Sequence, residues 1–253
     1  MQCCRNLLSA ILIFSLCACT LAGSGADRIA AAIDNPNRTE ADRERDSRDQ
    51  PAVILELLDL RRGQAVADLF GGGGYYAELL AGVVGEQGTV ILQNNKGYAK
   101  WVDKYLQERY IDNEVPPIRV LFSELEDLGL APASLDAAIM VMSYHDLYYL
   151  NPERGFPGAD VAEFFRQVSA ALKFEGKLLI IDHAAPEGTG NSLTQEIHRI
   201  EPAFAQADVE QNGFRLIDTS DVLRNPDDPR TANVFAKDIR GKTDRFVMLF
   251  QKQ

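Results

Sequence analysis

Ala65-Val66-Ala67-Asp68-Leu69-Phe70-Gly71-Gly72-Gly73-Gly74-Tyr75-Tyr76 is the stretch on which the fold is decided. An apolar run carries one acid, Asp68, and stops at four consecutive glycines. Tyr75 to Val84 then places apolar residues at helical spacing. Each glycine costs roughly 0.5–1 kcal/mol against alanine in regular structure, so a plain tight turn would use fewer. A glycine loop between a strand and a helix lets backbone approach a bound group and aims helix N-terminal N–H groups at it. Asp68, Gly71, Gly72, Gly73 and Gly74 are therefore candidate ligand-binding residues.

Working outward, Gln64 to Phe70 reads as the first of seven short strands. The others are Thr89–Leu92, Ile118–Phe122, Leu135–Met142, Lys177–Ile181, Phe214–Asp218 and Phe246–Gln251. Helical patterns lie between them: one starting at Pro51, another over about Tyr98–Tyr110, a third over Val161–Leu172, and a long one over Ser192–Asn212. Strands alternating with helices predict an α/β fold, a doubly wound and mostly parallel sheet with helices on both faces. The chain departs from that rhythm after the sixth strand. Asn225-Pro226-Asp227-Asp228-Pro229 and Arg240-Gly241-Lys242 are turn chemistry with no convincing crossover helix, so the seventh strand is expected to enter antiparallel.

A dinucleotide site would need Gly-x-Gly-x-x-Gly and an acid at the end of the second strand. Tyr76 occupies the third glycine position, and Gln93-Asn94-Asn95 stand where the acid would be. With Asp68, Gly72 and Gly74, the loop instead resembles motif I of class I S-adenosylmethionine-dependent methyltransferases, Phe70 standing in for the first glycine. Phe122-Ser123-Glu124-Leu125-Glu126-Asp127-Leu128 is similar to that superfamily's segment after strand three. Leu135 to Met140 and Glu175 to Asp182 are similar to its strands four and five. Gly73-Gly74-Tyr75-Tyr76, Tyr144-His145-Asp146 and Thr243 to Val247 resemble a group of exported bacterial methyltransferases over residues 50–253. The resemblance implies strand order 3-2-1-4-5-7-6 and S-adenosylmethionine as cofactor. It implies that Glu124 meets the adenine amino group and that Gln93 or Asn94 meets the ribose.

Chemistry in an open parallel sheet sits beyond the carboxyl ends of the strands. The chain has three histidines, and two follow strands four and five: His145, beside Asp146, and His183, after Asp182. His145 is expected to act as base or to orient the acceptor, with Asp146 fixing its tautomer or touching the acceptor. Tyr144 and Tyr148 are expected to form an aromatic wall for the substrate. His183 and His198, with Arg199, form a second set. No metal is expected, because magnesium prefers oxygen ligands to histidine. No Gly-x-Ser-x-Gly elbow occurs, which argues against a serine hydrolase. The alternative to a methyltransferase is an exported, non-catalytic binding protein on the same fold.

The first residues read as an address. Arg5 is followed by an apolar stretch, Leu7 to Ala18, too short for the ~20 residues of a membrane span. All four cysteines, Cys3, Cys4, Cys17 and Cys19, lie here. Leu16-Cys17-Ala18-Cys19 resembles a bacterial lipobox, which implies removal of residues 1–18, lipidation of Cys19, a membrane tether, and a periplasmic, outer-membrane location. Residues 26–50 form a charged helical lead-in with alternating signs, expected to be a solvated face rather than a lid. Residues 51–253 form the main domain. With 26 Lys+Arg against 37 Asp+Glu and a net charge of −11, a nucleic-acid groove is disfavoured and a small-molecule substrate is favoured.

Overall fold

The computed structural model describes residues 23–113 and 115–253, so the export and lipidation expectations, which fall on residues 1–22, lie outside the described residues. The elements are α1 (Gly25–Ile33), α2 (Glu40–Asp49), α3 (Pro51–Leu58), β1 (Ala65–Leu69), α4 (Tyr75–Val84), β2 (Thr89–Asn94), α5 (Lys96–Leu106), β3 (Ile118–Phe122) and β4 (Leu135–Val141). They continue with α6 (Val161–Ala171), β5 (Leu172–His183), α7 (Thr194–Ile197), α8 (Pro202–Gln211), β6 (Phe214–Ser220) and β7 (Arg245–Lys252).

The strands form one sheet in the order β3-β2-β1-β4-β5-β7-β6. The first five pair in parallel, and β7 lies antiparallel between β5 and β6, as expected. Side chains alternate across the sheet with period two. Val66, Val90, Ile139, Leu179 and Val247 face a core built with α1, α3 and α4. Ala67, Met140, Ile180 and Phe246 face the opposite core, with Phe164 and Phe165 of α6 and Val209 of α8. Burial on both faces explains why the central strands read as unbroken apolar runs.

Three expectations need correction. The long helix over Ser192–Asn212 is two helices, α7 and α8, separated at His198–Glu201. Pro202 is the cause: it suits the first turn of α8 but disfavours helical backbone at the residue before it. Ile200 instead bridges to Ala184 beside β5, and His198 takes a left-handed φ of 56°. β5 begins at Leu172, directly after α6, rather than at Lys177, with a register shift opposite Leu135 and Ala137.

The lead-in is also not solvated throughout: one side of it is docked on the domain while Glu40, Arg43, Glu44 and Arg48 stay exposed. α1 packs so closely on α4 that a Cβ at Gly82 would lie 2.6 Å from that of Ala32. α2 is held down by charge. Arg245 Nη1 meets Asp49 at 2.7 Å, Arg109 Nη2 meets Asp42 at 2.7 Å, and Arg38 forks onto Asp46 with two 2.7 Å bonds. Arg38, Asp42 and Asp49 are buried. α2 thereby roofs Tyr75 and Tyr76, whose hydroxyls donate to Asp46 Oδ1 and the Asp49 carbonyl.

Candidate active site

A cavity of about 760 Å³ opens beyond the carboxyl ends of β1, β4 and β5. Its floor is Asp68 and Gly71–Gly73. One wall carries Tyr98, Trp101 and Phe156, the other His145, Asp146, His183 and His198. Arg45, Arg48 and Asp49 of α2 form the roof. A larger hollow, about 880 Å³, lies at the other rim, along Arg62, Gly85 and Pro116–Ile118. It adjoins the amino ends of β2 and β3, away from the carboxyl rim where ligands sit in such sheets.

At the glycine loop, Phe70 leaves β1 with φ 52° and Gly74 opens α4 with φ 87°. A Cβ at Gly74 would lie 2.6 Å from the Tyr110 hydroxyl, so glycine is required there for space as well as conformation. Most loop N–H groups are already engaged: Gly71 donates to the Gln93 carbonyl, Gly72 to Asn94 Oδ1 and Gly74 to the Gly71 carbonyl. The loop offers a floor without side chains more than a row of free donors. Asp68 differs. It is buried, it borders the floor, and its Oδ2 has no hydrogen-bond partner among the described residues. Burial drives its carboxyl up to about 7, against opposing pulls from the Ala77 N–H and the charge of Arg45.

The expected ribose and adenine contacts are not arranged as predicted. Gln93 is fully buried, accepting from Phe70 N and donating to Ser123. Asn94 is fully buried and braces Gly72 from both sides, accepting from its N–H at 3.0 Å and donating to its carbonyl at 3.1 Å. Both amides hold the loop and neither lines the cavity. Glu124 also lies outside it, accepting from Lys96 N and paired with Lys96 Nζ at 3.6 Å. Phe70 does line the cavity, stacked between Tyr98 and Phe164, but does not close it.

The histidine wall is assembled from three loops. His145 sits in the 3-10 turn Tyr144–Tyr148 that follows β4. Its Nδ1 lies 2.8 Å from Asp182 Oδ1, and its N–H donates to Asp182 Oδ2 at 2.7 Å. A carboxylate only accepts, so Asp182 places a proton on Nδ1. Asp182, not Asp146, thus fixes the ring. Asp146 Oδ1 stands on the other side, 3.4 Å from Nε2, and its Oδ2 accepts from Tyr98 Oη at 2.6 Å. His198 Nδ1 lies 3.3 Å from His145 Nε2. Burial opposes charge on His145, but Asp182 and Asp146 outweigh it and raise the group to about 9. Burial also opposes ionisation of Asp146, yet the positive His145 and the bonds to His198 and Tyr98 hold its carboxyl below the ordinary value. His183, bonded to Thr243 Oγ1 at 2.7 Å, moves the opposite way, held well below the usual imidazole range by burial and by His145 and Arg245.

Tyr144 and Tyr148 do not form the substrate wall. Both hydroxyls donate to Asp208 Oδ2 on α8, at 2.6 and 2.7 Å, and the rings pack into the core. The neighbouring Tyr149 lines the cavity in their place. Arg199 is fully buried, forked onto Asp228, and clamps the loop before β7 rather than facing a ligand. Sequence reasoning ranked a lid at α2 second and missed the wall of Tyr98 and Phe156, which no local motif marks.

No family model and no curated protein matches the sequence. Solved structures do. A SAM-dependent methyltransferase from Aquifex aeolicus is 18% identical over 90% of this chain and 98% of its own, with a TM-score of 0.58. One from Mesorhizobium loti is 14% identical over 82% of this chain and 100% of its own, with a TM-score of 0.55. The geranyl diphosphate C-methyltransferase of Streptomyces coelicolor, solved with Mg2+, geranyl diphosphate and S-adenosyl-L-homocysteine, is 12% identical over 88% and 89%, with a TM-score of 0.56. The chain has the Rossmann-like fold of these methyltransferases.

Proposed function

We propose that this chain binds S-adenosylmethionine on the floor of the cavity and transfers its methyl group to a small molecule held at the histidine wall. The observation that carries this reading is Asp68 Oδ2, a buried carboxylate oxygen without a hydrogen-bond partner among the described residues, at the edge of a side-chain-free glycine floor. An unpaired buried carboxylate is costly, and a cationic ligand group resolves the cost. The α-ammonium of the cofactor's methionine end supplies that cation. Gly71–Gly73 leave room for it, and Tyr98, Trp101 and Phe156 give the adenine an aromatic wall in place of the contacts expected from Glu124. A cavity of about 760 Å³ suits a ligand of this size with room for an acceptor.

When bound, the cofactor supplies an electrophilic methyl on a sulfonium. The chain's own residues must place the acceptor in line with it, near ~3–3.5 Å, and keep water out. Asp182 fixes the ring of His145 and presents Nε2 to the cavity. Held at about 9, His145 is an imidazolium near neutral pH and orients an acceptor by donating rather than by removing its proton. Asp146, kept ionised, takes up a donor group of the acceptor. The roof of α2 shields the chemistry, with Arg45 and Arg48 at the mouth.

Incubating the purified chain with methyl-labelled S-adenosylmethionine and a small-molecule extract tests this reading. Label should pass to an extractable compound, and Asp68→Asn should abolish most of the transfer. No transfer together with no cofactor binding would end it. From the lipobox resemblance of Leu16-Cys17-Ala18-Cys19 we further propose that the mature chain lies outside the cytoplasm, tethered at Cys19. Labelling of the chain by fatty acid in cells, lost in Cys19→Ser, tests that part.

A further inference from the structure

We propose that His145 Nε2, Asp146 Oδ1 and His198 Nδ1 form a site for one divalent transition-metal ion of the zinc class, with a coordination position left open to the cavity. The three atoms lie within 4.8 Å of one another. Their separations are 3.3 Å between the two nitrogens, 3.4 Å from His145 to Asp146 and 3.8 Å from His198 to Asp146. A tetrahedral ion bonded at ~2.0–2.1 Å sets its ligand atoms about 3.3–3.4 Å apart. Two of the three separations fall on that value, and the third needs only a small turn of a carboxylate.

The supports behind the three atoms point the same way. Metal-bound imidazoles commonly donate their other ring N–H to a carboxylate, which fixes the ring and raises its basicity. Asp182 is that carboxylate for His145. It is fully buried and is itself fixed by the N–H groups of His145 and His183, both at 2.7 Å. Asp146 has its second oxygen held by Tyr98 at 2.6 Å, leaving Oδ1 for the cluster. His198 is wedged between the rings of Tyr149 and Phe235, with centroids at 4.7 and 5.0 Å, and its backbone stands in the left-handed region at the end of α7.

With the proton of neutral His145 on Nδ1, three electron-pair donors converge: Nε2, a carboxylate oxygen and a nitrogen of His198. A cation among them completes the arrangement. Two imidazoles and one carboxylate suit Zn2+, Fe2+, Co2+ or Mn2+ rather than Mg2+ or Ca2+. The expectation of no metal considered Asp182 and His183 as partners of His145 and Asp146. The fold uses Asp182 as a support instead and brings in His198. Three protein ligands and an open position are the pattern of catalytic rather than structural zinc sites. An acceptor oxygen or nitrogen filling that position would be held in place and would lose its proton more readily. In that state His145 is a ligand and not an orienting donor. The metal site stands without the cofactor reading; only its role in placing an acceptor rests on it.

Cobalt(II) is the probe. Full chain without a tag, stripped with chelator, is titrated with cobalt(II) and followed by visible absorption, then by zinc competition. One equivalent should bind with the ligand-field bands of a four- or five-coordinate nitrogen and oxygen site, and zinc should displace it. His198→Asn, chosen because asparagine tolerates left-handed backbone, and Asp146→Asn should each weaken binding about 100-fold or more, with unchanged far-ultraviolet circular dichroism. His183→Gln should retain the bands. The proposal is overturned if no visible bands arise, if both weakening variants bind like the wild type, or if only a thiolate charge-transfer band forms, which would put the ion on Cys3, Cys4, Cys17 or Cys19. Calorimetry with S-adenosylmethionine on the same sample separates the two readings: intact cobalt bands without cofactor binding would remove the proposed function and leave the metal site.

Discussion

The two ends of the cavity handle their polar side chains in opposite ways. At the glycine-loop end, Gln93 and Asn94 turn their amides onto backbone and to Ser123, so the protein satisfies itself. Among the described residues there, Asp68 Oδ2 is left over. At the histidine end, His145, Asp146 and His198 face one another across 3.3–3.8 Å, each supported from behind. A self-satisfied end is a scaffold that can hold a ligand by shape and one charge. An end whose electron-pair donors converge has the geometry of the proposed cation site. Under the proposed function, the cofactor's methionine belongs to the first end and the acceptor to the second.

The largest expected effect concerns the roof that joins the ends. Arg245→Ala leaves buried Asp49 with Arg45 and the more distant, half-exposed Arg48, and breaking a buried pair costs about 3–5 kcal/mol. Urea unfolding should show that loss, and the double variant with Asp49→Asn should lose less than the sum of the single changes. Equal, additive losses would mean that α2 is not held by this pair.

Asp68 sharpens the comparison through pH. Its folded carboxyl is raised from 3.8 to about 7, so the folded chain keeps a proton that the unfolded chain releases between those values. Stability from this group is therefore full below pH 3.8 and is lost as pH rises to about 7, on the order of 4 kcal/mol in all. The difference in stability between Asp68→Asn and the wild type should grow over that window and level off above it. A cationic ligand favours the ionised carboxylate, so cofactor affinity should rise over the same window.

A smaller effect distinguishes scaffold from contact at the second strand. Were Asn94 a failed ribose contact, Asn94→Asp would restore the acid and tighten cofactor binding. In this structure the new carboxylate would instead face the Gly72 carbonyl that Asn94 Nδ2 now satisfies. Folding stability should fall by roughly 1–2 kcal/mol, because a buried acceptor loses its donor, and binding should not tighten. The smallest effect belongs to Glu124→Gln. Glu124 pairs with the exposed Lys96 outside the cavity, so affinity should change by less than about threefold.

The sheet was legible because its central strands are buried on both faces and show as apolar runs, and because turn chemistry after β6 left no crossover. The site was legible only as residue types near strand ends. Asp68, the glycines, His145 and Asp146 do border the cavity. Tyr144 and Tyr148 belong to the core, since a 3-10 turn directs them toward Asp208 while His145 and Tyr149 face the cavity. Asp182 reaches His145 across 37 residues and His198 does so across 53, distances over which no local period exists. The alternating charges of α2 read as solvation because their partners, Arg109 and Arg245, lie far along the chain.

Isothermal titration of the wild type and Asp68→Asn with S-adenosylmethionine and S-adenosylhomocysteine, in buffers of different ionisation heats, tests the central claim most directly. The account predicts saturable one-to-one binding to the wild type, proton release below pH 7, and affinity about tenfold or more weaker in Asp68→Asn. No heat at millimolar ligand, or equal binding by both proteins without proton release, would contradict it.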